Sequence, residues 1–192
     1  MLNVSTRNQF IIGVVLVLLL IATRGHYLSM LHNLPSASWA VFFLAGVYVR
    51  PCCFLPGLLS LAWTLDFAAY VWGNASAFCL TSAYIFLLPA YSALWLAGRW
   101  YANLHHFAWP TLLPLTAALM TSAIICELLS SGGYYFFSGR FAEPTFTEFG
   151  IRLLTYFPSY LQSLTFYVVI AAIGHTIFAL LHSSSRARNV VA

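Results

Sequence analysis

The chain has 192 residues, of which 61% are hydrophobic and only four are acidic, and its eight basic residues are all arginines. A mean hydropathy of +0.86 over 21.4 kDa excludes an ordinary soluble enzyme and indicates a single-domain, all-α integral membrane protein over residues 1–192. The net charge of +4 comes from arginines spread singly along the chain. We expect most of them at helix ends as topology signals and interfacial anchors, so the charge does not predict nucleic-acid binding.

Apolar stretches predict six membrane-spanning helices when they are matched to the roughly 20 residues that cross a bilayer. The first covers residues 10–23 and is interpreted as a retained helix rather than a signal peptide, because Arg24 follows it and no small-residue cleavage pattern does. The second, residues 39–49, is short and is broken by Pro51. The third covers residues 52–72.

The remaining three spans are predicted in the second half of the chain. Residues 77–96 form the fourth, closed by a Gly-Arg pair, and residues 109–129 form the fifth, closed by a Ser-Ser-Gly-Gly run. The segment 134–147 is then the longest loop and is rich in aromatic side chains. The sixth span, residues 149–182, exceeds what a bilayer needs, so we expect it to begin outside the hydrocarbon or to kink near Pro158.

The distribution of arginines predicts that both termini lie in the cytoplasm. With the N-terminus inside, five of the eight arginines fall on the cytoplasmic side, as the positive-inside rule favours: Arg7, Arg50, Arg99, Arg186 and Arg188. The sequence shows no convincing internal repeat, which disfavours an inverted-repeat secondary transporter.

Several polar residues converge on the outer side of the membrane in this topology. They are Asp66 in the third span, Cys79 and Tyr84 in the fourth, Glu127 at the outer end of the fifth and Arg152 near the outer start of the sixth. A carboxylate within a membrane-spanning stretch is expensive, so by default it faces a cavity, a partner or a substrate. This constellation predicts a ligand pocket open to the outside, with the aromatic residues 134–137 placed to close over it.

Each of these residues also has a plainer interpretation. Asp66 and Arg152 could form a structural ion pair between helices, although a buried pair contributes little net stability. Glu127 could be an interfacial carboxylate and Tyr84 a packing residue, while Cys79 alone would normally be a small buried hydrophobe. Cys79 and Tyr84 are five positions apart and would not share one face of an ideal helix.

The histidines and the other cysteines do not predict a metal, haem or disulfide site. His105 lies in a predicted inner loop and His175 in the last helix, and we expect interfacial histidines rather than a facing pair. Cys52 and Cys53 are adjacent, which makes a mutual disulfide strained. They lie on the predicted inner face, far from Cys79.

The pattern as a whole resembles the substrate-binding S-components of energy-coupling factor (ECF) transporters, which capture vitamins on the outer side of a bacterial membrane. The shared features are six helices in under 200 residues, a short second span and a long aromatic loop before the last helix. More narrowly, Asp66, Cys79, Tyr84 and Arg152, in the third, fourth and sixth helices, resemble the BtuM family. These are small proteobacterial S-component-like proteins implicated in vitamin B12 uptake.

This resemblance implies a bacterial inner-membrane protein that binds cobalamin or a related corrinoid from the periplasmic side and mediates its uptake. Cobalamin brings four equatorial nitrogens of its own, so Cys79 alone would suffice as an axial cobalt ligand and could promote exchange of an upper ligand such as cyanide. Asp66, Tyr84 and Arg152 would anchor the amide arms of the corrin in an aromatic pocket. Cobalamin is then the transported ligand, and the chain has no cofactor of its own.

One departure from the resemblance concerns the coupling partner. S-components that dock on a shared coupling subunit typically carry an alanine-x-x-x-alanine motif in the first helix, and residues 10–22 have no such pair. We therefore expect the protein to work without that module. The sequence has no P-loop pattern, so it gives no indication of ATP binding. Three alternatives stay open: an S-component for another vitamin, a membrane thiol oxidoreductase using Cys52, Cys53 or Cys79, and an assembly protein without a ligand.

Overall fold

The computed structural model describes residues 5–24, 35–72, 81–105 and 111–191, with side chains described as far as residue 177. Within these residues the only regular secondary structure is helical. The α-helices are α1 (Thr6–Arg24), α2 (Ser38–Tyr48), α3 (Phe54–Trp72), α4 (Leu87–Leu104), α5 (Leu112–Phe137) and α6 (Phe146–Val191). A short 3₁₀ helix, Ser82–Phe86, leads directly into α4.

Within the described part of the chain, four helices are long and apolar enough to cross a membrane, and their spans are Thr6–Arg24, Phe54–Trp72, Leu112–Phe137 and Phe146–Ile177. Many of their large apolar side chains point outward, such as Leu113 and Leu154 at 77% and 76% exposed. Such surfaces are unfavourable in water and suited to lipid. The architecture is therefore that of an all-α, multi-pass membrane protein.

The centre of the bundle is α2, which has only 11 residues, ten of them buried from Ser38 to Val47. A helix that is apolar on every side must be covered either by lipid or by neighbouring helices, and here neighbouring helices cover α2. α4 forms the most extensive contact with α2, and α1, α6 and α3 also pack against it. The predicted second span thus lies inside the protein rather than at its lipid-facing surface.

Two glycines allow α2 and α4 to cross at close range. A Cβ atom added to Gly98 would collide with the carbonyl oxygen of Phe43, and one added to Gly46 would collide with that of Trp95. Gly98 is therefore a packing residue and not the helix terminator that its position before an arginine predicts. For this reason α4 continues beyond the predicted end of the fourth span at residue 96.

The Ser-Ser-Gly-Gly run predicted to close the fifth helix also lies inside a helix. The hydroxyl of Ser130 donates to the carbonyl of Cys126 at 2.7 Å, so it is satisfied within α5. Gly133 allows close contact with the ring of Phe86. As a result, the aromatic residues 134–137 form the last turn of α5 instead of a loop, and the loop itself is confined to residues 138–145.

The sixth helix extends past both predicted ends, from Phe146 to Val191, with Pro158 inside it. Its 46 residues correspond to roughly 70 Å of helix, more than twice the thickness of a bilayer core. Much of α6 must therefore lie outside the hydrocarbon. The fourth predicted span is displaced toward the C-terminus, because α4 begins at Leu87 rather than at residue 77 and ends at Leu104 rather than at residue 96. Residues 77–80 lie outside the described part of the chain.

Candidate ligand-binding site

A cavity of about 580 Å³ lies at one end of the bundle, within the range of about 300–1,000 Å³ that is typical of small-molecule sites. Four charged side chains from four helices line it: Arg24, Asp66, Glu127 and Arg152. Its wall also contains five tyrosines, Tyr91, Tyr134, Tyr135, Tyr156 and Tyr160. Three of the residues that the sequence singles out, Asp66, Glu127 and Arg152, thus meet at one cavity.

Asp66 is held by Arg24 at the cavity wall. The guanidinium donates from Nε to Oδ1 and from Nη2 to Oδ2, both at 2.7 Å. The side chain of Arg24 is only 12% exposed and that of Asp66 only 23% exposed. Parallel contacts of this kind are the strongest geometry for an arginine–carboxylate pair.

The pair belongs to a larger hydrogen-bonded network. Nη1 of Arg24 donates to the hydroxyls of Ser38 at 3.1 Å and Tyr91 at 2.9 Å. The hydroxyl of Tyr84 donates to Oδ2 of Asp66 at 3.0 Å. Five elements, α1, α2, α3, the 3₁₀ helix and α4, are therefore joined through two charged side chains, which makes this end of the bundle a preorganised wall.

This network corrects two expectations about the arginines. The ion pair considered for Asp66 is not made with Arg152, and Arg24 is not simply an interfacial anchor. The physical reason is that α1 ends beside the C-terminal half of α3, so that Arg24 reaches Asp66 directly. The sequence contains a signal for this pairing, since Arg24 directly follows an apolar span and is assigned to the same side of the membrane as Asp66.

Arg152 contacts aromatic rings instead of a carboxylate. Its guanidinium carbon lies 4.8 Å from the ring centre of Phe141, 5.8 Å from that of Tyr135 and 5.7 Å from that of Tyr156. No hydrogen bond or ion pair joins it to another residue in the described ranges. Its five N–H groups therefore remain available to an acceptor on a ligand.

The Tyr135 ring under Arg152 is itself fixed in place. Its hydroxyl donates to Oε2 of Glu148 at 2.9 Å and accepts from the backbone N–H of Thr145 at 3.1 Å. These bonds connect the end of α5 to the start of α6 across the short loop. Tyr134 and Tyr135, from the aromatic segment predicted to close over the cavity, are thus part of α5 and belong to the cavity wall.

Glu127 is the most deeply buried charged residue of the cavity, with 1% of its surface exposed. Its Oε1 accepts a hydrogen bond from the hydroxyl of Ser131 at 2.6 Å. Its Oε2 is buried and has no hydrogen-bond partner among the described residues. The plainer interpretation of Glu127 is an interfacial carboxylate in contact with water. The burial of the side chain does not agree with that interpretation.

Cys79 lies outside the described residues, so the axial-ligand role inferred for it stays a prediction. In the sequence it precedes the 3₁₀ helix Ser82–Phe86, whose Tyr84 is bonded to Asp66. Within the described part of the chain, three cysteines are free thiols: Cys52 and Cys53 are exposed and Cys126 is buried.

Two histidines that the sequence does not pair lie in contact at the other end of α4. The ring centres of His105 and His175 are 5.8 Å apart, and the planes of the two rings are nearly perpendicular. Nδ1 of His105 is 2.9 Å from the hydroxyl of Tyr101. Among the described residues, no group of three or more His, Cys, Asp or Glu side chains is arranged to hold a metal ion.

No family model matches the chain, and no curated protein is significantly similar to it.

Proposed function

We propose that the protein binds cobalamin or a related corrinoid in this cavity and mediates its uptake across the bacterial inner membrane. The observation that supports this most directly is the meeting of Asp66, Tyr84 and Arg152. These are three of the four residues that carry the resemblance to the BtuM family. They are distant in sequence, yet Asp66 and Arg152 line one cavity and Tyr84 is bonded to Asp66.

The chemistry of the wall suits a corrin. A corrin is a broad, largely apolar macrocycle with polar amide arms, and the cavity combines tyrosine rings with a few charged groups. The guanidinium of Arg152, which has no hydrogen-bond or ion-pair partner among the described residues, would donate to amide carbonyls, while Asp66 shapes the wall through Arg24. A complete cobalamin is larger than a cavity of about 580 Å³, so in this proposal part of the ligand extends beyond it.

Cys79 supplies the cobalt ligand in this proposal. A thiolate is a soft donor, and coordination to the metal itself favours deprotonation of the thiol. In an exchange reaction a Co–S bond would form as the sulfur donates an electron pair to cobalt. The bond from cobalt to the displaced axial group, such as cyanide, would break, and that group would leave with its own electron pair and take up the thiol proton. The oxidation state of cobalt does not change, so the step requires no reductant.

The membrane arrangement belongs to the same proposal. Here α2 and α4 are the remaining two of six spans in an ECF S-component-like bundle, and both termini are cytoplasmic. The cavity then opens to the periplasm. The absence of an alanine-x-x-x-alanine pair from residues 10–22 favours a protein that works without the usual coupling subunit.

Growth rescue tests the proposal. The chain is expressed in a bacterial host that lacks its own inner-membrane cobalamin importer and needs cobalamin for growth. We expect growth at low cobalamin with the wild type and with Cys52→Ala, which removes an exposed thiol, but not with Cys79→Ala. Membrane levels of all three proteins are compared by immunoblot. Absence of rescue by a wild-type protein present in the membrane would refute uptake, and loss of rescue by Cys52→Ala instead would favour thiol redox chemistry.

A further inference from the structure

We propose that Glu127, on the α5 side of the cavity, is a separate hydrogen-bond acceptor site for the ligand. The group that it binds is a primary carboxamide, which donates a hydrogen bond through an uncharged N–H. This inference rests on the proposed function and extends it. It assigns a chemical group of the ligand to a residue outside the four on which the resemblance depends.

The first argument is the unsatisfied oxygen of Glu127. The side chain lines the cavity and is 1% exposed, and Ser131 satisfies only Oε1. Oε2 has no partner among the described residues. A buried acceptor without a hydrogen bond costs roughly 1–3 kcal/mol, and more for a charged group. A ligand that supplies a donor here recovers this cost on binding.

The second argument is that neither arginine of the cavity is paired with Glu127. Arg24 is engaged by Asp66, Ser38 and Tyr91. Arg152 makes its described contacts with aromatic rings only. In the described part of the chain, Glu127 is thus a carboxyl group without a cationic partner, on the wall of an open cavity.

The third argument selects the carboxamide among possible donors. The cavity presents an acceptor at Glu127 and a set of unused donors at Arg152. A primary carboxamide has N–H donors and a carbonyl acceptor, so an amide-bearing ligand can satisfy both residues without introducing a charge. A carboxylate would be repelled by Glu127, and an ammonium group would be repelled by Arg152. A corrin carries several such amide arms around its rim.

The test uses cobalamin and its monocarboxylic acids, in each of which one carboxamide has been hydrolysed to a carboxylate. Affinities for the purified full-length protein in detergent are measured by equilibrium dialysis. We expect at least one acid to bind the wild type about tenfold or more weakly than cobalamin, because its carboxylate faces Glu127. Glu127→Gln replaces one carboxylate oxygen by an NH2 donor and removes the negative charge, so it should restore binding of that same acid relative to cobalamin.

The matched control is Glu143→Gln, which removes the same charge from an exposed position in the loop and should preserve the wild-type preference. Equal binding of cobalamin and all the acids by the wild type would overturn the Glu127 site alone, and this result needs no variant. An unchanged preference in a folded Glu127→Gln protein would do the same. If the wild type binds no corrinoid at all, the proposed function falls and the carboxamide site falls with it.

Discussion

Arg24 binds both carboxylate oxygens of Asp66: its Nε lies 2.7 Å from Oδ1 and its Nη2 lies 2.7 Å from Oδ2. The carboxylate that is most conspicuous in the sequence is therefore already neutralised by its own protein. Its second role is to accept a hydrogen bond from Tyr84. Among the described residues, the cavity groups left for a ligand are Arg152, whose contacts there are with aromatic rings, and Glu127, whose Oε2 has no hydrogen-bond partner there. Asp66 and Arg24 thus stabilise the wall of the cavity, and Arg152 and Glu127 are the charged residues on that wall that a ligand can engage.

Replacing Asp66 by asparagine should destabilise the protein. The substitution leaves the guanidinium of Arg24 without a counter-charge, and breaking a buried pair from one side costs about 3 kcal/mol or more. The partial exposure of Asp66, 23%, places the expected loss at the lower end of that range. Thermal unfolding in detergent measures it.

A double-mutant cycle separates the pair from general damage. Arg24→Gln combined with Asp66→Asn removes both charges, so the double variant should be less destabilised than the sum of the two single variants by about 1–3 kcal/mol. Strict additivity of the two losses would contradict the pairing seen here.

Replacing Tyr84 by phenylalanine removes only the hydroxyl that donates to Asp66. Hydrogen bonds to a charged acceptor contribute about 1.5–3 kcal/mol, so we expect a loss near the lower value because Tyr84 is only partly buried. Tyr70→Phe, at an exposed tyrosine of α3, is the matched control and should change stability by less than about 0.5 kcal/mol. Similar effects at both positions would argue against a specific bond.

Gly98→Ala should disrupt the crossing of α2 and α4. The new methyl group would collide with the carbonyl of Phe43, and overpacking of this kind costs about 1–3 kcal/mol or more. Gly57→Ala places the same methyl group where no atom of the described residues lies within 4 Å, and it should be neutral or slightly stabilising. Detergent stability assays of the two proteins side by side decide the matter. A harmless Gly98→Ala would show that the helices do not cross this closely.

Arg152→Gln should weaken cobalamin binding by about tenfold or more while changing stability by only about 1–2 kcal/mol. The reason is that its described contacts are with rings, whereas its N–H groups are available to the ligand. Arg152→Lys keeps the charge but loses the planar donor array, so its affinity should be intermediate.

Arg140→Gln provides the control for Arg152. It removes an exposed guanidinium that hydrogen-bonds to the hydroxyl of Tyr134. Arg140 itself is not one of the charged residues that line the cavity. Equilibrium dialysis with cobalamin should show near wild-type affinity for this variant. If Arg140→Gln and Arg152→Gln lose affinity equally, the assignment of Arg152 to the ligand would not stand.

The positions of the helices can be predicted from the apolar runs, but several helix ends cannot. Gly98 and the serines and glycines after Leu129 are residue types that end helices in water, yet here they allow close packing or bond back into their own helix. Distinguishing the two roles requires knowledge of the neighbouring helix. The apolar sequence of α2 predicts a membrane span, but its burial by the other helices and its contact partners do not follow from the sequence.

The candidate site can be predicted in part. Placing intramembrane acidic residues and Arg152 on one side identifies the end of the bundle where the cavity lies. The choice of Arg24 over Arg152 as the partner of Asp66 depends on the relative rotation and depth of α1 and α3, which the sequence does not specify. The unsatisfied oxygen of Glu127 is likewise a property of the packed structure, because it depends on which donors other helices bring near.

The most direct test of the central claim is the visible absorption spectrum of the purified protein with added cobalamin, measured for the wild type beside Cys79→Ala. We predict that the wild type retains cobalamin with a shifted corrin spectrum, and that the shift is lost in Cys79→Ala even if some ligand is retained. Cys52→Ala, with an exposed thiol removed, should match the wild type. A wild-type protein that retains no corrinoid, or a spectrum that is identical in wild type and Cys79→Ala, would contradict cobalt coordination by Cys79.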